Sequence, residues 1–251
     1  DEAWPLEHLW HELTNRRIDE KSISYCESHD QALVGDQTLM FRLSGAAMYD
    51  HMAVGDPDLR VERGVALHKM LRLITLASAG SGYLNFMGNE FGHPDWIDFP
   101  REGNQWSYEY ARRQWRLVDN PDLKYRYLDR YDKEMIRLIR SCGVLKASWP
   151  YLLHDHNNDK VIAFHRKGLF FVFNFHPTKS YTDYGIQAPP GAYRMILNSD
   201  DSQFGGHGTA HAPGKHGGRQ HGPKLPYERH VDHGAQTALQ TDLTELIVAL
   251  N

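Results

Sequence analysis

Apolar positions recur along this chain first at helical spacing and later at strand spacing. Behind Pro5, Leu6, Leu9, Trp10 and Leu13 fall three and four apart and predict a first helix. Ile23 and Tyr25 then alternate with Ser22, Ser24 and Cys26, which predicts a strand. That strand stops abruptly in Glu27-Ser28-His29-Asp30-Gln31. A short helix is expected over 39–48, and a longer one over 64–79 after the Gly/Pro/Asp-rich loop 55–58. Leu67, Met70, Leu71, Ile74 and Ala77 form its apolar face. Gly80-Ser81-Gly82 ends it, and a strand over 83–87 follows. Strand, loop, helix, strand is the rhythm of a parallel sheet. Past a loop over 92–104, residues 107–115 predict a short helix. Residues 123–140 predict a long one, with Leu128, Tyr131, Met135, Leu138 and Ile139 on one face.

From Ala147 the period shortens. Runs at 161–165, 169–175, 192–197 and 246–250 read as strands. Turn signals lie between them at Asn157-Asn158-Asp159, Pro189-Pro190-Gly191 and Asn198-Ser199-Asp200. The expectation is an antiparallel β-sandwich. A domain boundary is placed near residue 146, giving domains 1–146 and 147–251. Residues 205–234 are poor in apolar side chains, rich in Gly and His, and read as a long loop. No repeat of 20 to 50 residues is present in the sequence.

Composition narrows the partner. The chain has 251 residues, 41% hydrophobic and 24% charged, which is ordinary for a globular protein. Its net charge is −4 with no run of like charges. Nucleic acid, which calls for a basic stripe, is therefore not expected, whereas an uncharged polysaccharide fits. No apolar run is long enough for a membrane span. The two cysteines, Cys26 and Cys142, sit in a strand and behind a helix, so no disulfide framework is expected and a reducing compartment is the default. The chain begins at Asp1 without a secretory pattern. The expectation is a truncated start, with any targeting segment upstream.

Glu27 to Gln31 place a cluster of polar groups directly off the end of a strand, where they have no packing purpose. Sites at the carboxyl ends of barrel strands look like this. Here the residues also carry a resemblance. Glu27-Ser28-His29-Asp30-Gln31-Ala32-Leu33-Val34-Gly35-Asp36 resembles the last catalytic block of the α-amylase superfamily, in the form found in branching enzymes. Tyr83-Leu84-Asn85-Phe86-Met87-Gly88-Asn89-Glu90-Phe91-Gly92-His93-Pro94 resembles the eighth strand and following loop of the same family. Asn174 to Tyr184 is similar to the eukaryotic-type branching enzymes, and Phe204-Gly205-Gly206-His207 to a surface segment of the family's C-terminal domain. The resemblance covers residues 5 to 200 and fades beyond 208.

What the resemblance implies is the C-terminal portion of a TIM (β/α)8 barrel followed by a β-sandwich. In this family one aspartate attacks the anomeric carbon, a glutamate is general acid and base, and a third carboxylate holds sugar hydroxyls. The resemblance assigns Asp30 the third role, that of transition-state stabiliser, and His29 a substrate-binding role beside it. Glu27, Ser28 and Gln31 either shape the sugar subsites or only support that pair. Glu90 either touches substrate or steadies the neighbouring loops. Among Trp96, Trp106, Tyr108, Tyr110 and Trp115, packing is expected for most, with Trp96 the sugar contact. His207, His211, His216, His221, His230 and His233 crowd the late loop. His230 and His233 have a spacing compatible with a metal, but no Cys or carboxylate pattern supports one, and no metal site is expected.

The family's nucleophile and acid/base precede its seventh strand, and only residues 1–21 precede that strand here. Retaining chemistry needs two carboxylates flanking the bond. The 251-residue chain is therefore expected to be inactive alone, while the complete enzyme moves a glucan chain from an α-1,4 linkage to a 6-hydroxyl without cofactor or metal. The implied partner is glycogen, amylose or amylopectin, and the implied state a cytoplasmic or plastidic monomer. Two alternatives stay open: another α-amylase-type hydrolase or transglycosidase, and a non-catalytic glucan-binding module.

Overall fold

The computed structural model describes residues 3–17, 19–33, 36–147, 149–181, 184–188, 193–209 and 244–249. Six helices precede the main sheet: α1 (Leu6–Thr14), α2 (Leu39–Ser44), α3 (Ala47–Asp50), α4 (Leu59–Ser78), α5 (Arg116–Asp119) and α6 (Tyr125–Ser141). Interleaved with them are two short strands, β1 (Ile23–Ser24) and β2 (Gly82–Tyr83). Then come β3 (Tyr151–His156), β4 (Val161–Arg166), β5 (Leu169–Asn174), β6 (Tyr193–Asn198) and β7 (Thr244–Ala249).

Helix α4 is the centre of the fold. Asp58 caps it by accepting from Val61 N at 2.8 Å, which starts the helix five residues before the apolar periodicity becomes visible. Apolar side chains occupy nearly all its faces, and the helix is correspondingly enclosed. Enclosure drags His68, Lys69 and Arg72 inside with it. Helix α6 is amphipathic instead. It buries Tyr125, Leu128, Tyr131, Met135 and Ile139 together with one acid, Asp132, and turns its other charges outward. The single expected helix over 39–48 is two, α2 and α3, broken at Gly45, where φ is +59°. The expected helix over 107–115 does not form. That segment is a series of turns, and the helical turn that follows it, α5, starts only at Arg116.

Strands β3, β4 and β5 pair antiparallel, with the register Val161↔Asn174 through Arg166↔Leu169 between the last two. Lys167 and Gly168 turn between them with φ of +55° and +79°, as a two-residue hairpin requires. The remaining pairs correct the expectation of a purely antiparallel sandwich. β7 inserts between β5 and β6 and runs parallel to both, so the order is β3-β4-β5-β7-β6 in one mixed sheet. Both neighbours of a central strand can be parallel only when the chain crosses over between them. Among the described residues this is the one sheet of the C-terminal half.

One core runs across the change in character near residue 146. Leu6 of α1, Leu67, Met70, Leu73 and Ile74 of α4 and Tyr131, Met135 and Ile139 of α6 pack with Ile162, Phe164, Phe171, Phe173 and Phe175. Burial of each such side chain stabilises by about 1.5–3 kcal/mol. Polar clasps fix the same contact. Lys69 Nζ donates to the carbonyls of Ser199 at 2.6 Å and Phe204 at 2.8 Å. Arg166 donates to Ala77 O at 2.9 Å and Ala79 O at 2.7 Å, satisfying carbonyls at the end of α4. A second cluster, around Met40, Met48, Val61, Phe91 and Leu128, joins α2 and α3 to α4 and α6.

Candidate functional site

Strands β1 and β2 pair in parallel, Ile23 with Gly82 and Ser24 with Tyr83. Their carboxyl ends therefore open on the same side, and the loops that follow them meet. Asn89 Nδ2 donates to Glu27 O at 3.1 Å, and the His29 ring lies 5.6 Å from that of Phe86. A third segment joins them: Leu33 pairs with Ile97, and Ile97 N donates to Ala32 O at 2.5 Å. The loops bearing Asp30, Glu90 and Trp96 are thus knit into one surface.

Within the first loop, internal bonds decide which groups remain available. Ser28 donates through both its backbone N and its Oγ to Gln31 Oε1, each at 2.8 Å, and Asp30 N donates to Ser28 Oγ at 3.2 Å. Gln31 thereby spends its carbonyl oxygen holding the turn. His29 and Asp30 point outward instead. Their side chains are 47% and 64% exposed, with Nε2 of His29 3.1 Å from Oδ1 of Asp30. The second oxygen of Asp30 lies 3.5 Å from Ser28 Oγ, too far for a firm hydrogen bond. Asp30 thus presents a carboxylate steadied from one side and open on the other.

Glu27 behaves differently. It is 4% exposed, and its Oε2 accepts from Leu39 N at 2.6 Å, at the start of α2. Thr38 Oγ1 accepts from Phe41 N at 3.2 Å, so two unpaired amides of that helix are satisfied together. Burial pushes the Glu27 carboxyl up to about 7, against the opposing pull of the Leu39 amide and of Arg72 and Arg113.

Glu90 lies half-buried in the second loop. Its Oε2 accepts from Asn85 Nδ2 at 2.9 Å and from Gly88 N at 2.8 Å. Gly88 sits at φ +100°, and a Cβ there would come within 2.7 Å of Arg113 Cδ. Asn85 Oδ1 in turn accepts from Arg72 Nη2 at 2.7 Å, and Arg72 donates to Asp132 Oδ1 at 2.6 and 2.9 Å. A buried network therefore underlies the loops. Sequence reasoning passed over Arg72, Asn85 and Asp132. The available signal was Arg72 itself, the one charge in the otherwise uncharged run 70–78 of α4.

In the third loop His93 is buried, and its Nε2 accepts from Gln114 N at 3.0 Å. Burial, aided by the Arg113 guanidinium, lowers its ring to about 4, so it is neutral at pH 7. Trp96 is half-buried and stacks on Tyr110 with centroids 4.4 Å apart. Trp115 leans on Phe91 at 5.3 Å, while Trp106 and Tyr108 stand out in solvent.

Cys26 donates its thiol to Leu71 O at 3.2 Å and Thr75 Oγ1 at 3.1 Å, tying β1 to α4. Of the late histidines only His207 is described. Its backbone N donates to Asp200 Oδ1 at 2.9 Å, while His211, His216, His221, His230 and His233 lie outside the described residues. Among the described residues no three His, Cys, Asp or Glu side chains converge as a metal ion would require, and no helix is long and apolar enough to cross a membrane.

Residues 151–239 match the family described as "Alpha amylase, C-terminal all-beta domain". The chain is 54% identical over 209 residues to the 1,4-alpha-glucan-branching enzyme of Felis catus, covering 82% of this chain and 30% of that relative. It is 53% identical over 222 residues to that of Debaryomyces hansenii, covering 88% and 31%. Against that of Saccharomyces cerevisiae it is 50% identical over 209 residues, covering 82% and 30%. The chain thus spans about 30% of the length of the curated relatives it matches.

Proposed function

Because this chain belongs to the family of 1,4-alpha-glucan-branching enzymes, we propose that it carries the transition-state-stabilising carboxylate of a glucan-branching reaction, and that this group is Asp30. The observation behind the reading is the open Asp30 carboxylate at the carboxyl end of a parallel strand pair, beside an outward His29 in a loop whose Glu27, Ser28 and Gln31 are bonded inward. Two such oxygens can accept hydrogen bonds from neighbouring hydroxyls of one glucose unit. Those bonds strengthen as positive charge develops at the anomeric carbon, so they favour the transition state over the bound sugar. His29 holds the carboxylate and offers a ring nitrogen to the same sugar. Gln31 and Glu27 act by fixing the loop, and Glu90 by fixing the turn behind β2. Trp96, backed by Tyr110, offers its ring to a glucose face at the rim of the site.

In this reading β1 and β2 are the last two strands of a (β/α)8 barrel. Ile23, Leu84 and Met87 are exposed here and would be covered by the remaining strands. The nucleophile and the acid/base come from that remainder. The first carboxylate takes up the cleaved chain as a covalent glycosyl-enzyme. The second protonates the leaving oxygen and then deprotonates the incoming 6-hydroxyl. The 251-residue chain alone turns over no glucan, and the complete protein works as a monomer in the cytoplasm or a plastid on glycogen or starch. No cofactor or metal enters this chemistry.

The test is incubation with amylose of the 251-residue chain and of the protein including its upstream reading frame. The longer protein lowers iodine staining without releasing new reducing ends, and the 251-residue chain does neither. New reducing ends in proportion to the loss of staining would mean a hydrolase. Retention on amylose without either change in the longer protein would mean a binding module.

A further inference from the structure

Helix α4 ends against two arginines from distant parts of the chain. Its last carbonyls have no partners within the helix. Arg166 of β4, itself buried, donates through Nη1 to Ala77 O and Ala79 O, and through Nη2 to Gly80 O at 3.4 Å and Ala147 O at 3.3 Å. Arg16, which lies ahead of β1, donates through Nη2 to Ser78 O at 2.7 Å. Its Nη1 donates to Leu13 O at 2.9 Å, and its guanidinium lies 4.4 Å from the centre of the Trp149 ring. Four consecutive carbonyls, 77 to 80, are thus divided between two guanidiniums. The two cations are close enough to repel, and Arg16 adds to burial in lowering the pKa of Arg166. The negative end of the dipole of a 20-residue helix offsets that repulsion. Stopping the helix needs no such arrangement, because a glycine beyond the last turn ordinarily suffices.

The clamped turn leads directly into the strand pair. Ser81 N and Gly82 N both donate to Ser22 O, at 2.9 and 3.2 Å, and Leu84 N donates to Ser24 O at 3.0 Å. A Cβ on Gly80 would stand 2.1 Å from Ser22 Oγ, so glycine is what lets the turn come this close to β1. β1 and β2 are two residues each. A ladder this short holds its register weakly by itself, and a displaced turn carries both following loops with it. We propose that Arg166 and Arg16 are positioning residues for the branching reaction: by holding carbonyls 77 to 80 they fix β2 against β1, and with them the place of Asp30 and of the loop bearing Glu90. Both arginines lie at the amino ends of the two strands, whereas Asp30 lies beyond the carboxyl end of β1. They therefore act through the backbone and not on the sugar. The inference rests on the function proposed above.

The experiment uses the protein with its upstream reading frame, assayed for branch formation from amylose well below its melting temperature. Arg166→Leu lowers kcat about tenfold with KM unchanged. Arg166→Lys, which keeps a cation and donors for part of the carbonyl set, recovers some of that loss. In an Asp30→Ala background Arg166→Leu costs no further activity, because the group it positions is already gone. A lowered melting temperature with wild-type kcat in the folded protein would overturn the inference and leave Arg166 a helix cap only. A full tenfold loss on top of Asp30→Ala would overturn it too, by showing that Arg166 acts elsewhere. Should Arg166→Leu fail to fold, Arg166→Lys and Arg16→Gln are judged by the same two results. Wild-type kcat in Asp30→Ala would sink the catalytic reading and this inference with it, whereas wild-type kcat in the arginine variants sinks this inference alone.

Discussion

Replacing Glu27 by glutamine should stabilise the protein at pH 8 and leave it nearly unchanged at pH 5. The carboxyl is buried, and its pKa is raised to about 7 from an ordinary 4.5. Between those two values the folded protein keeps a proton that the unfolded chain has released, so this group's contribution to stability falls as pH rises through that window. Above pH 7 the full cost of the buried charge is present, and the gap of pKa corresponds to roughly 3 kcal/mol. Glutamine keeps an oxygen to accept from Leu39 N, so the cap on α2 survives. The wild-type pH profile alone does not isolate this effect. His68 and His93 are lowered by burial to about 3 and about 4, with Arg72 and Arg113 pushing the same way. Their contributions run oppositely: present above the unfolded pKa of 6.5 and lost as pH falls towards the folded values. The informative quantity is variant minus wild type, from urea unfolding at pH 5, 6, 7 and 8. It should grow from about zero to about 2–3 kcal/mol in favour of the variant. A variant less stable than wild type by the same amount at every pH would refute the reasoning. It would mean that the Glu27 charge stabilises the start of α2 by more than its burial costs.

Arg72→Leu strands the buried Asp132 carboxylate and should destabilise by about 3–5 kcal/mol, with Arg72→Leu/Asp132→Leu recovering most of the loss. A single-variant loss below about 1 kcal/mol by denaturant unfolding would rule out this pair as the support of the loops. Gly64→Ala lies mid-helix, where alanine ordinarily gains about 1 kcal/mol. Here its Cβ would stand 2.0 Å from Ser44 Oγ, so destabilisation of about 1–3 kcal/mol is expected, partly relieved by Ser44→Ala. A stabilised Gly64→Ala in the same assay would show that α2 does not sit this close to α4.

Periodicity exposed the long helices because burial of one face imposes it. It failed where tertiary contacts set the outcome. The first turn of α4 was invisible because it rests on the Asp58 cap and not on apolar spacing. β3 reads Tyr-Leu-Leu-His-Asp-His without alternation and carries a bulge between Leu152 and His154, so no strand pattern marked it. Residues 107–115 have helical composition, yet the left-handed turn at Gln105 and Trp106 and the clasp of Gln114 N by His93 commit them elsewhere. The parallel insertion of β7 depends on a crossover that local pattern does not encode. In the site, the density of polar residues off β1 was legible, and it was the family resemblance, not that density, that assigned roles to His29 and Asp30. Which neighbours turn inward was not legible. The bonds of Gln31 to Ser28, Glu27 to Leu39 and Glu90 to Asn85 exist only once the loops meet.

The most direct measurement is the rate at which α-1,6 linkages form from amylose, followed by proton NMR, for wild type and Asp30→Ala in the protein including its upstream reading frame. Asp30 is exposed, so its loss should alter unfolding free energy by no more than about 0.5 kcal/mol. The account predicts that kcat falls by about a hundredfold or more while the melting temperature holds. Branch formation at the wild-type rate in a folded Asp30→Ala would contradict it and reduce Asp30 to a surface turn residue.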